Sequence, residues 1–173
     1  MIAVGLLGWL GFWRQVPAHQ ALIVAQRSGK REVYFDRARV LPLVETSEVV
    51  DLSIKLVAVA CIGKSGLATR DDYRLDVRVV VYLKIPRDKG AVLKAADYLG
   101  VEQTHRVEAI TAIMTPAFAD LLQRAVSNLD AGEILEDSRR LTDALWRLVD
   151  DEYFGFKVVE FAVDLVRERL HVD

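Results

Sequence analysis

The side chains that could carry out chemistry are few and widely separated. The histidines are His19, His105 and His171, and the one cysteine is Cys61. No histidine has a Cys, His or carboxylate at the spacing of a metal-ligand motif, and one cysteine provides neither an internal disulfide nor a thiolate zinc site. We therefore expect no metal and no cofactor. Cys61 is expected to pack as a small apolar side chain, with lipidation of its thiol as the alternative.

Catalytic motifs are equally sparse. The segment Gly63-Lys64-Ser65-Gly66 lacks the upstream glycine of a phosphate-binding loop, and the sequence contains neither a nucleophile elbow nor a zinc-protease motif. The acidic runs Asp71-Asp72 and Asp150-Asp151-Glu152 stand at predicted element boundaries, with no nucleophile or base near them in sequence. We expect solvated caps there and no enzymatic activity. The alternative is an enzyme with a cleft between strands and helices, recognisable by perturbed carboxylates.

The charge balance limits the class of partner. The 173 residues include 23 Lys and Arg against 25 Asp and Glu, for a net charge of −2. Neither sign is concentrated in a block, so we expect no nucleic-acid partner. The length suits one domain or two small subdomains.

The N-terminal stretch differs from the rest of the chain, because residues 1–13 contain no charged side chain. As a helix they would extend about 20 Å, which is short of the roughly 30 Å hydrocarbon core of a bilayer. No positive region precedes them, which argues against a signal peptide. We predict a shallow helical membrane anchor at residues 1–14, with an apolar strand or helix of the soluble core as the alternative. The expected lipid-contacting residues are Ile2, Leu6, Leu7, Trp9, Leu10, Phe12, Trp13 and Arg14.

The region after the anchor is typical of β structure. Residues 21–25 and 33–35 flank the turn residues 27–30 and predict a hairpin, while Pro42 confines residues 40–44 to a sheet edge or an irregular crossing. Residues 48–62 are mostly β-branched and predict one strand. The clearest alternation runs from Tyr73 to Ile85, with apolar side chains at every second position. This pattern predicts a half-buried antiparallel strand.

Helical periodicity dominates residues 88–154. A first helix is predicted at residues 91–99 and a second from about Glu102, which Pro116 should kink or restart. A third helix is predicted from a capping box of Asp130 and Glu133 and continues to Leu148. Extended structure returns at residues 156–166, and the charged residues 167–169 indicate the start of a further helix.

The sequence thus predicts an α+β fold, in which an antiparallel β-rich lobe is followed by a strand-helix-helix-helix-strand lobe. The predicted boundaries are residues 1–14 for the anchor, 15–70 for the β-rich lobe, 71–166 for the α+β lobe and 167–173 for the start of a C-terminal helix. The motifs that define the order of parts are Val16-Pro17, residues 39–45, Val49-Val50-Asp51-Leu52, Thr69-Arg70-Asp71 before residues 79–85, Leu129-Asp130-Ala131-Gly132-Glu133-Ile134-Leu135, and residues 155–166.

This order resembles the SPFH family, which includes stomatin, prohibitin, flotillin and HflK/C and is also called the band-seven family. The resemblance covers residues 1 to about 166, and residues 39–45 with the reduced anchor look closest to flotillin-like members. Asp72 departs from the pattern, because the family usually has Gly or Asn there. The long coiled coil of flotillins and prohibitins is also absent from this sequence.

The resemblance implies a membrane-associated scaffold rather than an enzyme. Such proteins assemble side by side into rings or cages, organise a lipid patch, and enclose or regulate partners such as membrane proteases or NfeD-type proteins. We predict a single N-terminal anchor with most of the chain in the cytoplasm, since basic residues follow the apolar stretch. A monomeric anchored adaptor is the alternative.

Two charged surfaces are predicted to form the contacts between copies. The first is the polar face of the alternating strand, for which an ordinary solvated face is the alternative, and the second is the third predicted helix. The residues concerned are Arg74, Asp76 and Arg78 on the strand, and Arg139, Arg140, Asp143 and Arg147 on the helix.

Overall fold

A computed structural model describes residues 12–41 and 44–168, which form two compact units. Unit 1 contains the described residues up to Ser53, with Ile85–Arg106 and Phe154–Phe156. Unit 2 contains Ile54–Lys84, Val107–Tyr153 and the described residues from Lys157 onward. Each unit is assembled from separate stretches of the chain, and the predicted domain boundaries stay predictions. The α+β class with antiparallel sheets is confirmed.

Unit 1 contains five of the strands. They are β1 (Phe12–Gln15), β2 (Gln20–Gln26), β3 (Arg31–Tyr34), β4 (Arg37–Val40) and β5 (Glu45–Asp51). Strand β2 lies between β3 and β5, and β1 pairs with β4 in a separate two-stranded ribbon. The predicted hairpin is confirmed by the antiparallel pairing of β2 with β3. Leu22, Val24 and Ala38 form a buried core cluster of this unit, with partly buried apolar side chains packed around it.

The strand predicted at residues 48–62 is wrong as a single element. Strand β5 ends at Asp51, and β6 (Lys55–Cys61) begins a different sheet in unit 2. The Asp51 carboxylate accepts hydrogen bonds from Ser53 N at 2.9 Å and from Ser53 Oγ at 2.8 Å. In such an Asx turn the backbone N–H bonds to a nearby side chain instead of to a neighbouring strand, and the strand ends there.

Helix α1 (Lys89–Leu99) belongs to unit 1 and confirms the first predicted helix. Asp88 caps its N-terminus by accepting a hydrogen bond from Ala91 N at 2.9 Å. Gly155 lies directly against this helix with φ of +88°. A Cβ at Gly155 would lie 2.7 Å from Ala95 N and closer still to the Ala91 carbonyl oxygen. Only glycine fits this approach without displacement of the helix backbone.

Unit 2 is built on the sheet around β8 (Arg74–Lys84). One edge of β8 pairs with β6 and with β7 (Leu67–Ala68), and the other pairs with β9 (Lys157–Glu168). The predicted alternation is confirmed, because five side chains on one face are no more than 1% exposed. They are Leu75, Val77, Val79, Val81 and Leu83. This face provides a continuous apolar surface for packing.

Three helices belong to unit 2, namely α2 (Val107–Val126), α3 (Ala131–Glu136) and α4 (Arg139–Leu148). The start predicted near Glu102 is wrong, because a 3-10 turn occupies Val101–His105 and α2 begins after it. Pro116 lies inside α2 without restarting it.

The capping box of Asp130 and Glu133 is confirmed, but the third predicted helix is divided in two. Asp137 takes an extended conformation and its Oδ1 accepts a hydrogen bond from Arg139 N at 3.0 Å, which starts α4. The described residues therefore contain four α-helices rather than the three predicted.

Two predictions at the chain ends change. Arg167 and Glu168 continue β9 instead of starting a helix, because they pair with Asp76 and Leu75 of β8. Residues 12–14 do not belong to an anchor helix, since they form β1 and pair with residues of β4. The remaining anchor residues 1–11, the prediction for Pro42 and residues 169–173 lie outside the described residues. Within the described part, no helix is both long enough and apolar enough to cross a membrane.

The close approach at Gly155 predicts a large effect of one added methyl group. Gly155→Ala should lower the free energy of unfolding by about 2–4 kcal/mol, because backbone strain at positive φ adds to a steric clash. Gly29→Ala is the matched control, since Gly29 has φ of +83° but open space around it. The control should lose about 1–2 kcal/mol in urea unfolding. Equal losses in the two variants would contradict the packing of Gly155 on α1.

Candidate interaction surfaces

The three charged residues of β8 differ in their surroundings. Asp76 is only 5% exposed, and its carboxylate accepts hydrogen bonds from Gly63 N at 2.8 Å and from Arg167 Nε at 3.1 Å. Arg78 pairs across the sheet with Asp164 at 3.5 Å. Arg74 is exposed and makes no ion pair with another described residue. Asp76 is therefore an internal partner of Arg167, and we leave it out of the proposed contact surface.

Helix α4 has two clearly different sides. Leu141 and Leu145 are fully buried, and they fix the orientation of the helix against the rest of unit 2. Arg139, Asp143 and Arg147 recur every four residues on the exposed side. These three residues are called the α4 stripe. Its charges alternate in sign over about 12 Å of helix, and none of them makes an ion pair with another described residue.

Arg140 is the fourth charged residue predicted on this helix, and it does not join the α4 stripe. Its Nη1 donates to Glu133 Oε1 at 2.6 Å, so it connects α4 to α3. Glu133 also accepts a hydrogen bond from Asp130 N at 3.1 Å as part of the capping box. Arg140 thus has a partner within unit 2, although its side chain is still about half exposed, and its predicted contact with another copy stays a prediction.

A network that was not predicted from the sequence connects the turn at residues 69–72 to the N-terminus of α3. Arg70 Nε donates to Asp130 Oδ1 at 2.8 Å, and Arg70 N donates to the Leu129 carbonyl at 3.0 Å. Asp71 Oδ1 accepts from Ala131 N at 3.0 Å and from Thr69 Oγ1 at 2.5 Å. The capping box marked the helix, but sequence spacing gave no signal for a partner 60 residues away.

This network perturbs the charged groups in it. The hydrogen bond from Thr69, together with that from Ala131 N, holds the pKa of Asp71 below its usual value. Hydrogen bonding to Asp130 raises the pKa of Arg70. Both shifts favour the ionised forms, as expected for a carboxylate at a helix N-terminus and an arginine beside a carboxylate.

Asp72 completes the turn in a left-handed conformation with φ of +61°. This is the position where the family resembled by the sequence usually has Gly or Asn. Glycine adopts this region without strain, and Asn and Asp tolerate it better than other residues. The departure at Asp72 is therefore compatible with the same turn geometry.

The face of the unit 2 sheet opposite Leu75 and Val77 is a second missed surface. The register places Leu56 opposite Tyr82 and Ala58 opposite Val80, so these four side chains share one face. Leu56 is 50% exposed, and Tyr82 and Val80 are partly buried. The signal was present in residues 56–60, where apolar side chains occupy both faces of the strand.

The residues considered for chemistry occupy ordinary structural positions. Cys61 is buried on β6, and burial raises the pKa of its thiol. His105 Nε2 lies 2.9 Å from the Val49 carbonyl oxygen, as a hydrogen-bond donor would. Within residues 12–41 and 44–168, no group of three or more His, Cys, Asp or Glu side chains is arranged to hold a metal ion.

Comparison with known proteins identifies the family. The model of the SPFH domain / Band 7 family matches residues 14–168, and the chain therefore belongs to this family. Its members are commonly membrane-associated scaffolds and are generally non-enzymatic. No curated protein matches the chain.

The lowered pKa of Asp71 predicts a pH-dependent contribution to stability. A carboxylate with a depressed folded-state pKa stabilises above the unfolded value of about 3.9, and this contribution disappears as the pH falls through the folded value. Asp71→Asn should therefore lower the melting temperature at neutral pH, with the difference from wild type shrinking on acidification towards about pH 2. The measurement is thermal unfolding by circular dichroism across this range.

The neighbouring carboxylate is the matched control for that series. Asp72 is exposed and makes no side-chain hydrogen bond to another described residue, and Asn tolerates its left-handed conformation. Asp72→Asn should leave the pH profile close to that of wild type. A difference between wild type and Asp71→Asn that stays constant with pH would contradict the assigned role of the Asp71 carboxylate.

Proposed function

We propose that this chain is a flotillin-like, membrane-associated scaffold whose copies assemble side by side into rings or cages. The assembly organises a lipid patch and encloses or regulates a partner such as a membrane protease or an NfeD-type protein. Membership of the SPFH family is the observation that carries this proposal. The protein acts through packing and has no catalytic activity of its own.

The α4 stripe supports a contact between copies. Exposed charges of alternating sign provide little stability to an isolated helix, because surface ion pairs are worth only about 0–1 kcal/mol. In a contact with another copy, the same charges fix the register and exclude wrong orientations. Arg74 and Arg78 on β8 remain further candidates, although Arg78 already pairs with Asp164.

A ring requires a heterologous contact, in which one surface meets a different surface of the next copy. Such a contact closes when the rotation per copy divides a full turn, and it forms an open filament otherwise. Linked copies also explain a weak membrane attachment, since many weak contacts on one assembly raise the effective concentration at the bilayer. The proposed anchor is now limited to residues 1–11, with most of the chain in the cytoplasm.

The alternative function is a monomeric anchored adaptor that binds one membrane protease or transporter. The two functions differ in native mass, because an adaptor in detergent would sediment as one copy. A scaffold would sediment as a multi-copy particle.

The contact is tested by reversing the order of charge along α4 without changing net charge. Arg139→Glu combined with Asp143→Arg should weaken self-association about tenfold or more, because it places like charges against the neighbouring copy. Sedimentation velocity of the detergent-solubilised full chain, measured over a range of concentrations, reports this change. Unaltered self-association in this variant would remove the α4 stripe from the proposed contact.

A matched control is available on α2. Asp120 and Arg124 are also four residues apart, and they form an ion pair of 3.1 Å on an exposed helix surface. The exchange Asp120→Arg with Arg124→Asp leaves net charge and the internal pair intact. It should leave self-association unchanged, which would show that the α4 effect does not follow from charge rearrangement as such.

A further inference from the structure

The side chain of Trp13 stands out on the surface of unit 1. It is 73% exposed, which is more than any other large apolar side chain among the described residues. It belongs to β1, which pairs with β4 as a two-stranded ribbon. Burial of an indole is worth more than burial of most side chains, so Trp13 is a candidate contact residue whose surroundings decide what it could meet.

The register assigns the side chains of the ribbon to its two faces. Trp13 pairs with Arg39, and Gln15 pairs with Arg37. Cross-strand partners project to the same side, so these four residues form one face, called here the ribbon face. Ala38 projects to the opposite side and is buried in the core cluster of unit 1. The ribbon face therefore points away from that core.

The charge of the ribbon is entirely positive. Strands β1 and β4 contain three arginines and no carboxylate, and two of these arginines, Arg37 and Arg39, belong to the ribbon face. Arg37 is exposed and makes no ion pair with another described residue. Two other bases of unit 1 are neutralised, since Arg31 pairs with Asp97 at 2.6 Å and Arg87 with Asp36 at 3.0 Å. Arg37 thus keeps its charge on the same face as the exposed indole, one register position diagonal from Trp13.

This combination suits the headgroup zone of an anionic bilayer. Indoles prefer the boundary between water and hydrocarbon, where the ring is partly apolar and its N–H still finds a partner. Arginine binds phosphate with two parallel hydrogen bonds and keeps its charge under all physiological conditions. Residues 1–11, which directly precede β1, contain no charged side chain. That apolar sequence favours a lipid surface over an acidic protein as the occupant.

We propose that the ribbon face docks on an anionic lipid surface, with Trp13 at the headgroup boundary and Arg37 on lipid phosphates. This proposal rests on the membrane association included in the proposed function. The proposal adds two points to that function: which surface of the protein contacts the bilayer, and that this surface prefers anionic lipid. A β-ribbon then orients unit 1 at the membrane, in addition to any attachment through residues 1–11.

The position of Trp13 is tested in the full chain by fluorescence. Trp9→Phe with Trp146→Phe leaves Trp13 as the single indole, and phenylalanine at 146 keeps an aromatic ring beside Phe161. The protein is mixed with vesicles of phosphatidylcholine, either alone or with phosphatidylglycerol. On the anionic vesicles the Trp13 emission should shift to the blue and lose its quenching by acrylamide, and added salt should reverse both changes.

The role of Arg37 is tested by co-sedimentation with the same vesicles. Arg37→Gln should weaken binding to anionic vesicles about fivefold, as expected for one basic residue at the surface of an anionic membrane. Arg27→Gln is the matched control, because Arg27 is an exposed arginine in the turn between β2 and β3 and belongs to neither strand of the ribbon. The control should bind within about twofold of wild type.

The outcomes separate this proposal from the proposed function. Binding to anionic vesicles with Trp13 still open to acrylamide would overturn the ribbon contact and leave membrane association intact. Equal binding to neutral vesicles, or equal losses in Arg37→Gln and Arg27→Gln, would overturn the selection of anionic lipid by this face. Binding to neither vesicle would overturn both the ribbon contact and direct lipid association. Circular dichroism checks that each variant is folded.

Discussion

Strand β8 is the element on which the rest of unit 2 depends, because both of its edges are paired and one of its faces is completely buried. Five apolar side chains on that face contribute a gross stabilisation of about 7–15 kcal/mol, which is comparable to the net stability of a whole domain. A shift of one residue would turn these side chains to the other face, so the register is strongly specified. The positions of Asp76 and Arg78 follow from the same register.

This constraint separates structural charges from surface charges. Asp76 lies on the second face of β8 and accepts a hydrogen bond from Arg167 of β9. Arg140 connects α4 to α3, and Arg70 connects the turn at residues 69–72 to the N-terminus of α3. Arg74 and the α4 stripe are left on the surface, and their charge is available to a neighbouring copy. Membership of the SPFH family suggests what kind of protein this is. The distinction between paired and unpaired charges suggests which residues could contact another copy.

Local patterns in the sequence predicted the elements well where one physical signal dominated. The alternation from Tyr73 to Ile85 and the capping box at Asp130 are both confirmed. Two errors arose where a single Asp residue interrupts an apolar pattern. Asp51 ends β5, and Asp137 separates α3 from α4, in each case by a side-chain hydrogen bond to a nearby backbone N–H. Contacts distant in sequence, such as Arg70 with Asp130 or Trp13 with Arg39, leave no periodic signal and were missed.

The proposed function requires copies of this chain to assemble at a membrane into closed particles, which electron microscopy of the full chain, extracted from membranes in mild detergent, would make visible. Rings or cages of uniform diameter are expected, with repeated features of the size of one 19.4 kDa copy. A field of separate single copies under conditions that preserve membrane complexes would contradict it.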